Sequence, residues 1–332
     1  MYSRALRRAL AASALLAIAG CAAGTQPSGP AAQALSPYSQ VVHRGMPFAP
    51  AVRHAFAPNS VQPTYSTRKS LVFEGDQSET AVNVYKTGKL PTNPAPIATI
   101  HVSAGCPYGL VADKHGTLYV ADNCGGNDVE EFAKGSTTLK TKITTGISNP
   151  LGLAMDTSGN LYVSNYPASI TVYPFGSTSP SKTITCSCMF DPFGLALDGS
   201  GNLYIADFGA AKVFEVKAGS TTVQDLGLQD LEEPLGVAID IATKVMWVTD
   251  GAGKKIEVYN LGSTTPIETI TGFSDPYAIS IENVGSPAGT VVQSDLQGSA
   301  GKVYAYKVGQ YTSYATLTNR VKLPTGLLIT KP

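Results

Sequence analysis

Charge is scarce in this chain: Asp, Glu, Lys and Arg make up 14% of 332 residues, with 24 acids set against 24 bases and only four histidines. No run of Lys or Arg interleaves with aromatic residues, and without a basic field to hold a phosphate backbone the composition speaks against nucleic-acid binding. Long hydrophobic runs are missing too. The one apolar stretch, Ala9 to Ala19, is too short to cross a bilayer as a mature helix. No Gly-x-Ser-x-Gly elbow occurs, and Gly298-Ser299-Ala300-Gly301-Lys302 lacks the spacing of a phosphate loop.

Arg4, Arg7 and Arg8 precede the apolar stretch, which is the arrangement of a secretory signal. It closes on Ile18-Ala19-Gly20-Cys21, which resembles the lipobox of bacterial lipoproteins. The resemblance implies that residues 1–20 are removed and that Cys21 carries lipid, each buried acyl methylene contributing about 0.8 kcal/mol of membrane attachment. Losing three arginines leaves 21 Lys and Arg against 24 Asp and Glu, a net charge of about −3. Residues 21–66 hold Pro27, Pro30, Pro37, Pro47, Pro50, Pro58 and Pro63 among Ala, Ser and Gln, with no sustained period. Such a stretch buries too little apolar surface to offset its ordering entropy, so a disordered tether is expected, with His43 and His54 lacking co-ligands inside it. The expected address is the bacterial cell envelope. Ala22 in place of an acid after Cys21 favours the outer membrane.

What the chain has in quantity is repetition. Pro-x-Gly-Leu, with Val for Leu in the copy at Pro234, recurs at Pro107, Pro150, Pro192 and Pro234, with degenerate or delayed copies at Pro276 and Pro324, in steps of 43, 42, 42, 42 and 48 residues. A carboxylate follows each of the first five anchors six residues on, at Asp113, Asp156, Asp198, Asp240 and Glu282, and turns such as Asp156-Thr157-Ser158-Gly159-Asn160 lead into a second strand. That strand carries a large residue at one register (Phe73, Tyr119, Tyr162, Tyr204, Trp247, Val292) and ends in Asp76, Asp122, Asn165, Asp207, Asp250 or Asp295. The rings are expected to pack between adjacent sheets. The terminal Asp or Asn is expected to bond the backbone of the turn that follows. A third strand alternates Val and Ile, as at Val82 and Val84 or Ile256 and Val258, before a turn at Gly135, Gly176, Gly219 or Gly262 introduces a fourth.

Four antiparallel strands per unit, radially repeated over residues 67–332, predict an all-β, six-bladed β-propeller. The last anchor has no room after it for three more strands, and Leu71 to His101 has three strands with no anchor before it. The C-terminal strand is therefore predicted to pair with the N-terminal three, closing the ring and removing its open edges.

Pro-x-Gly-Leu-Ala-x-Asp followed by Gly-Asn-Leu-Tyr-Val-Ala-Asp resembles the NHL-repeat propellers and their gluconolactonase-like relatives across residues 67–332. A single Trp argues against the WD-repeat type. Likeness to gluconolactonase-like lactonases would imply a divalent ion held by a Glu, an Asp and an Asn directly after an anchor proline. The residues after the prolines are instead Tyr108, Leu151, Phe193, Leu235, Tyr277 and Thr325. Streptogramin-lyase-like members would require a His near the channel, and the repeat region has only His101 and His115.

Residues just before the anchors (Cys106, Asn149, Asp191, Glu233, Asp275, Leu323) are expected to ring one channel mouth. Asp191, Glu233 and Asp275 are the candidate ligands there for Ca²⁺ or another divalent cation, which prefers oxygen donors. Tyr108, Phe193 and Tyr277 are the candidate ligand-binding surface. The first expectation is a lipid-anchored binding or scaffolding module for an envelope protein, a glycan or a small ligand, with no covalent chemistry assigned and a monomer expected. The alternative is a metal-dependent lactonase or lyase built on the three acids. Cys106 and Cys124 should face each other across strand ends and form a disulfide, worth roughly 3 kcal/mol in an exported protein. Cys186-Ser187-Cys188 admits a local bond, a free pair or a metal pair; a zinc site would need two further ligands that no cluster supplies.

Overall fold

A computed structural model describes residues 70–282, 289–297 and 300–330. Every described residue belongs to the unit Pro50–Pro332. The signal segment, Cys21 and the tether over 21–66 lie outside the described residues. No described helix is long and apolar enough to cross a membrane.

Six sheets of four antiparallel strands form the ring of a β-propeller. Blade 1 is composite: Leu71–Asp76, Ala81–Lys86 and Ala98–His101 are joined on their inner side by Pro324–Ile329. Blades 2 to 6 span residues 107–143, 150–185, 192–225, 234–271 and 276–317. The predicted closure is present, with Val72 opposite Ile329 and Phe73 opposite Leu328.

The anchor motif explains the hub. Proline opens each innermost strand, where its missing N–H costs no ladder bond, and in blades 2 to 6 the register shifts between that proline and the residue three positions on. The glycine two residues after the proline sits where inner strands of neighbouring blades nearly touch. A Cβ on Gly109 would lie 2.6 Å from the Leu151 carbonyl oxygen, and one on Gly236 2.7 Å from that of Tyr277. Hydroxyls then tie the strands: Ser164 donates to the Phe193 carbonyl at 2.8 Å and accepts from the Gly152 N–H at 2.6 Å.

Each hydrophobic core lies between two blades. The residue at the shared second-strand register belongs to each one: Phe73 packs with Leu110 and Leu118, Tyr119 with Leu153 and Val163, and Trp247 with Ile279 and Val291. The predicted Asp turns form as expected; Asp156 Oδ1 accepts from the Ser158 and Asn160 N–H groups, both at 2.9 Å, with Gly159 at φ +90°. Buried phenols clamp three of the links between blades, Tyr85 donating to Asn319, Tyr173 to Thr145 and Tyr259 to Gln229 carbonyls at 2.7–2.8 Å.

Candidate functional site

The loops before the anchors are held by one device repeated around the wheel. The acid or amide that ends each second strand accepts backbone N–H bonds from the loop entering the same blade. Asp207 accepts from Phe190 and Asp191 at 2.8 and 2.9 Å, Asp250 from Glu232 and Glu233 at 2.9 and 2.8 Å, and Asp295 from Ser274 and Asp275 at 2.9 and 2.7 Å. Asp76 and Asp122 act in the same way, and Asn165 takes the Ser148 N–H at 3.0 Å. The sequence pointed to the turn after the strand as the partner. That bond also exists, from Ala210 to Asp207 and from Gly253 to Asp250, but the preceding loop is the partner common to all six blades. Charge-assisted bonds of this kind fix a loop more firmly than neutral ones, so the face around the mouth is preorganised.

Tyr108, Phe193 and Tyr277 do come together, at the axis. Their ring centroids form a triangle with sides of 5.9, 6.4 and 5.1 Å, and two of the three pairs are edge-to-face. Tyr108 and Tyr277 are each only 2% exposed, while Phe193 is half-buried. The rings therefore pack on one another as a plug, and Phe193 offers more surface to solvent than either tyrosine. Burial pushes the Tyr108 hydroxyl up to about 12. The positions after the anchor prolines alternate large and smaller around the wheel, with Leu151, Leu235 and Thr325 between the rings, and that alternation was the sequence signal for a plug.

Below the plug the six innermost strands enclose a cavity of about 290 Å³ that reaches exposed Ile241 at the opposite end. Val111, Met155 and Leu197 line it at that end, and Tyr108 is the one ionisable side chain among its described lining residues. On the plugged face, Phe190 stands 44% exposed beside the Cys186–Cys188 pair, which is bonded. Cys106 and Cys124 are also bonded, with Cα atoms 5.2 Å apart, tying the loop before Pro107 to the loop after Asp122.

The ligand atoms of Asp191, Glu233 and Asp275 do not all lie within 4.8 Å of one another. Each residue has its backbone N–H held by its own blade, and among the described residues the one group of three acid, His or Cys side chains with ligand atoms within 4.8 Å of one another is Asp122, Asp128 and Glu130. Asp191 is buried to 2% exposure, and desolvation, followed by the neighbouring Asp207, pushes its carboxyl up to about 7.

No protein-family model matches this chain, and no curated protein matches it. Among solved structures, one chain from a crystal structure of a nidogen/laminin complex aligns with a TM-score of 0.65 at 17% identity, covering 78% of this chain and 98% of that chain. At that identity the likeness is one of fold. A chain of Kuenenia stuttgartiensis hydrazine synthase aligns at a TM-score of 0.49 and 17% identity over 60% of this chain and 62% of that chain, too loosely to carry an argument.

Proposed function

We propose that this chain is a lipid-anchored propeller of the bacterial cell envelope, of the NHL-repeat type, that binds a protein partner on its plugged face. One observation carries the proposal: six entry loops are locked by buried acceptors into a preorganised surface that leaves Phe190 exposed and Phe193 half-exposed. Loops fixed before association lose little conformational freedom on binding, and an exposed aromatic near the centre of such a surface is the residue type that dominates protein interfaces. The fold neighbour from the nidogen/laminin complex is itself part of a protein assembly, which supports the reading at the level of architecture.

A photocrosslinking residue at position 190, tested in intact envelopes, should give a discrete protein adduct. The same residue at position 200, in a turn at the opposite end of the blades, should not. Equal adducts from both positions, or none from 190, would refute the assignment. The anchor has a separate test: metabolic labelling with a radioactive fatty acid should mark the wild type and not Cys21→Ser.

A further inference from the structure

We propose that blade 2 binds a calcium ion between Asp122, Asp128 and Glu130. The repeat itself makes this blade anomalous. Opposite the second-strand acid, blades 4, 5 and 6 place a lysine, pairing Asp207 with Lys212, Asp250 with Lys255 and Asp295 with Lys302. Blade 2 places Asp128 opposite Asp122, and Glu130 follows on the same strand. Where three blades bring their own ammonium, this one brings two more carboxylates.

All three are buried, at 0%, 3% and 0% exposure. The nearby cation is Lys142 on the fourth strand, whose Nζ reaches Asp128 Oδ2 at 2.7 Å and Glu130 Oε1 at 2.9 Å. Three carboxylates and one ammonium leave two negative charges where water is excluded, and uncompensated buried charge is costly. A divalent cation would bring the set to neutrality.

The geometry fits that ion. One oxygen from each acid lies within 4.8 Å of the others, which is about the span across an ion bonded to oxygen at roughly 2.4 Å. Asp128 Oδ1 and Glu130 Oε2 are both buried and accept no hydrogen bond, so each has a lone pair to give. Asp122 is already oriented by the Ala104 and Cys106 N–H groups at 2.6 and 3.0 Å. An all-oxygen, carboxylate-rich set favours Ca²⁺, whose coordination is adaptable, over Mg²⁺, which demands a regular octahedron and keeps its waters.

The test uses purified protein stripped with a chelator and returned to calcium at fixed ionic strength, with magnesium as the control. Equilibrium dialysis should find one calcium bound per chain, and saturating calcium should raise the melting temperature by roughly 5 °C, with a smaller rise from magnesium. Glu130→Gln and Asp128→Asn should each weaken binding by at least about tenfold. Asp198→Asn, in a surface turn, should leave it unchanged. Asp128→Lys restores the repeat's own ammonium and should fold well without calcium while losing the site, which keeps the test decisive if the other variants are unstable. No bound calcium in the wild type, or calcium retained by Asp128→Lys, would overturn the proposal.

Discussion

Blades 2 and 5 share a backbone plan and differ in how they neutralise the same buried corner. In blade 5, Lys255 sits opposite Asp250 and contacts Glu257 Oε1 at 2.6 Å, while Thr269 donates to Glu257 Oε2 at 2.7 Å, so both oxygens of that buried acid are satisfied from within the sheet. In blade 2 the lysine has become Asp128 and the threonine position has become Lys142, which must serve two acids from the more exposed outer strand. The comparison separates scaffold from site: the ladder fixes where a side chain stands, and residue identity decides whether the place is closed or open to a ligand.

A milder form of the contrast gives the largest expected effect. Blade 3 carries amides, Asn149 and Asn165, where blade 4 carries Asp191 and Asp207. Burial raises the folded-state pKa of Asp191 from the usual 3.8 to about 7, so between those values the folded protein holds a proton that the unfolded chain has released. Stability is then fully present below about pH 4 and falls by on the order of 1 kcal/mol per pH unit as pH rises toward 7. Asp191→Asn should flatten that slope in urea titrations across pH; an unchanged slope would remove the contrast between the two blades.

Next in size is Lys255→Met, which gives blade 5 the deficit of blade 2 without a replacement cation. It should cost roughly 3 kcal/mol in urea unfolding. A loss no larger than that of Lys217→Met, where the lysine is exposed, would show that the internal ammonium is dispensable. The shared scaffold should not distinguish the blades: Gly109→Ala and Gly236→Ala force a Cβ into the same kind of carbonyl contact and should each cost about 2 kcal/mol. The smallest effect is expected of Asp122→Asn in calcium-free protein. An amide can still accept in this place, as Asn165 does, so stability should stay within about 1 kcal/mol of wild type. Burial, then nearby Glu130 and Asp128, raises the Asp122 carboxyl in the folded state, so the variant should gain on wild type as pH climbs from about 4. Calcium should reverse the order.

The wheel was legible in the sequence because its geometry is periodic. Pro-x-Gly marks a bulge and a close approach of strands that recur in the blades, and one turn Asp or one ring per unit can be aligned by counting. Closure followed from the lone anchor at Pro324 and the three unanchored strands after Leu71. The site was harder, because side chains meet there across alternate blades about 85 or 169 residues apart and counting along one blade does not reveal it. Tyr108, Phe193 and Tyr277 lie in alternate blades, and it is their meeting at the axis that turns a proposed binding surface into a plug. Asp191, Glu233 and Asp275 lie in successive blades, and their ligand atoms do not all come within 4.8 Å of one another. The blade 2 acids escaped the Val and Ile alternation that marks other third strands, since Asp128-Val129-Glu130-Glu131-Phe132 breaks that pattern. Their departure from the repeat was itself the signal.

The composite first blade also sets a timetable for biogenesis. Leu71–Asp76 emerges early from the ribosome, yet its inner neighbour Pro324–Ile329 is translated almost 250 residues later. At about 5–20 residues per second the early strand waits on the order of tens of seconds with an unpaired edge. Nascent chains are therefore exposed to sticking and to chaperones until Pro324–Ile329 has been made, and the native ring can only snap shut after that strand is translated.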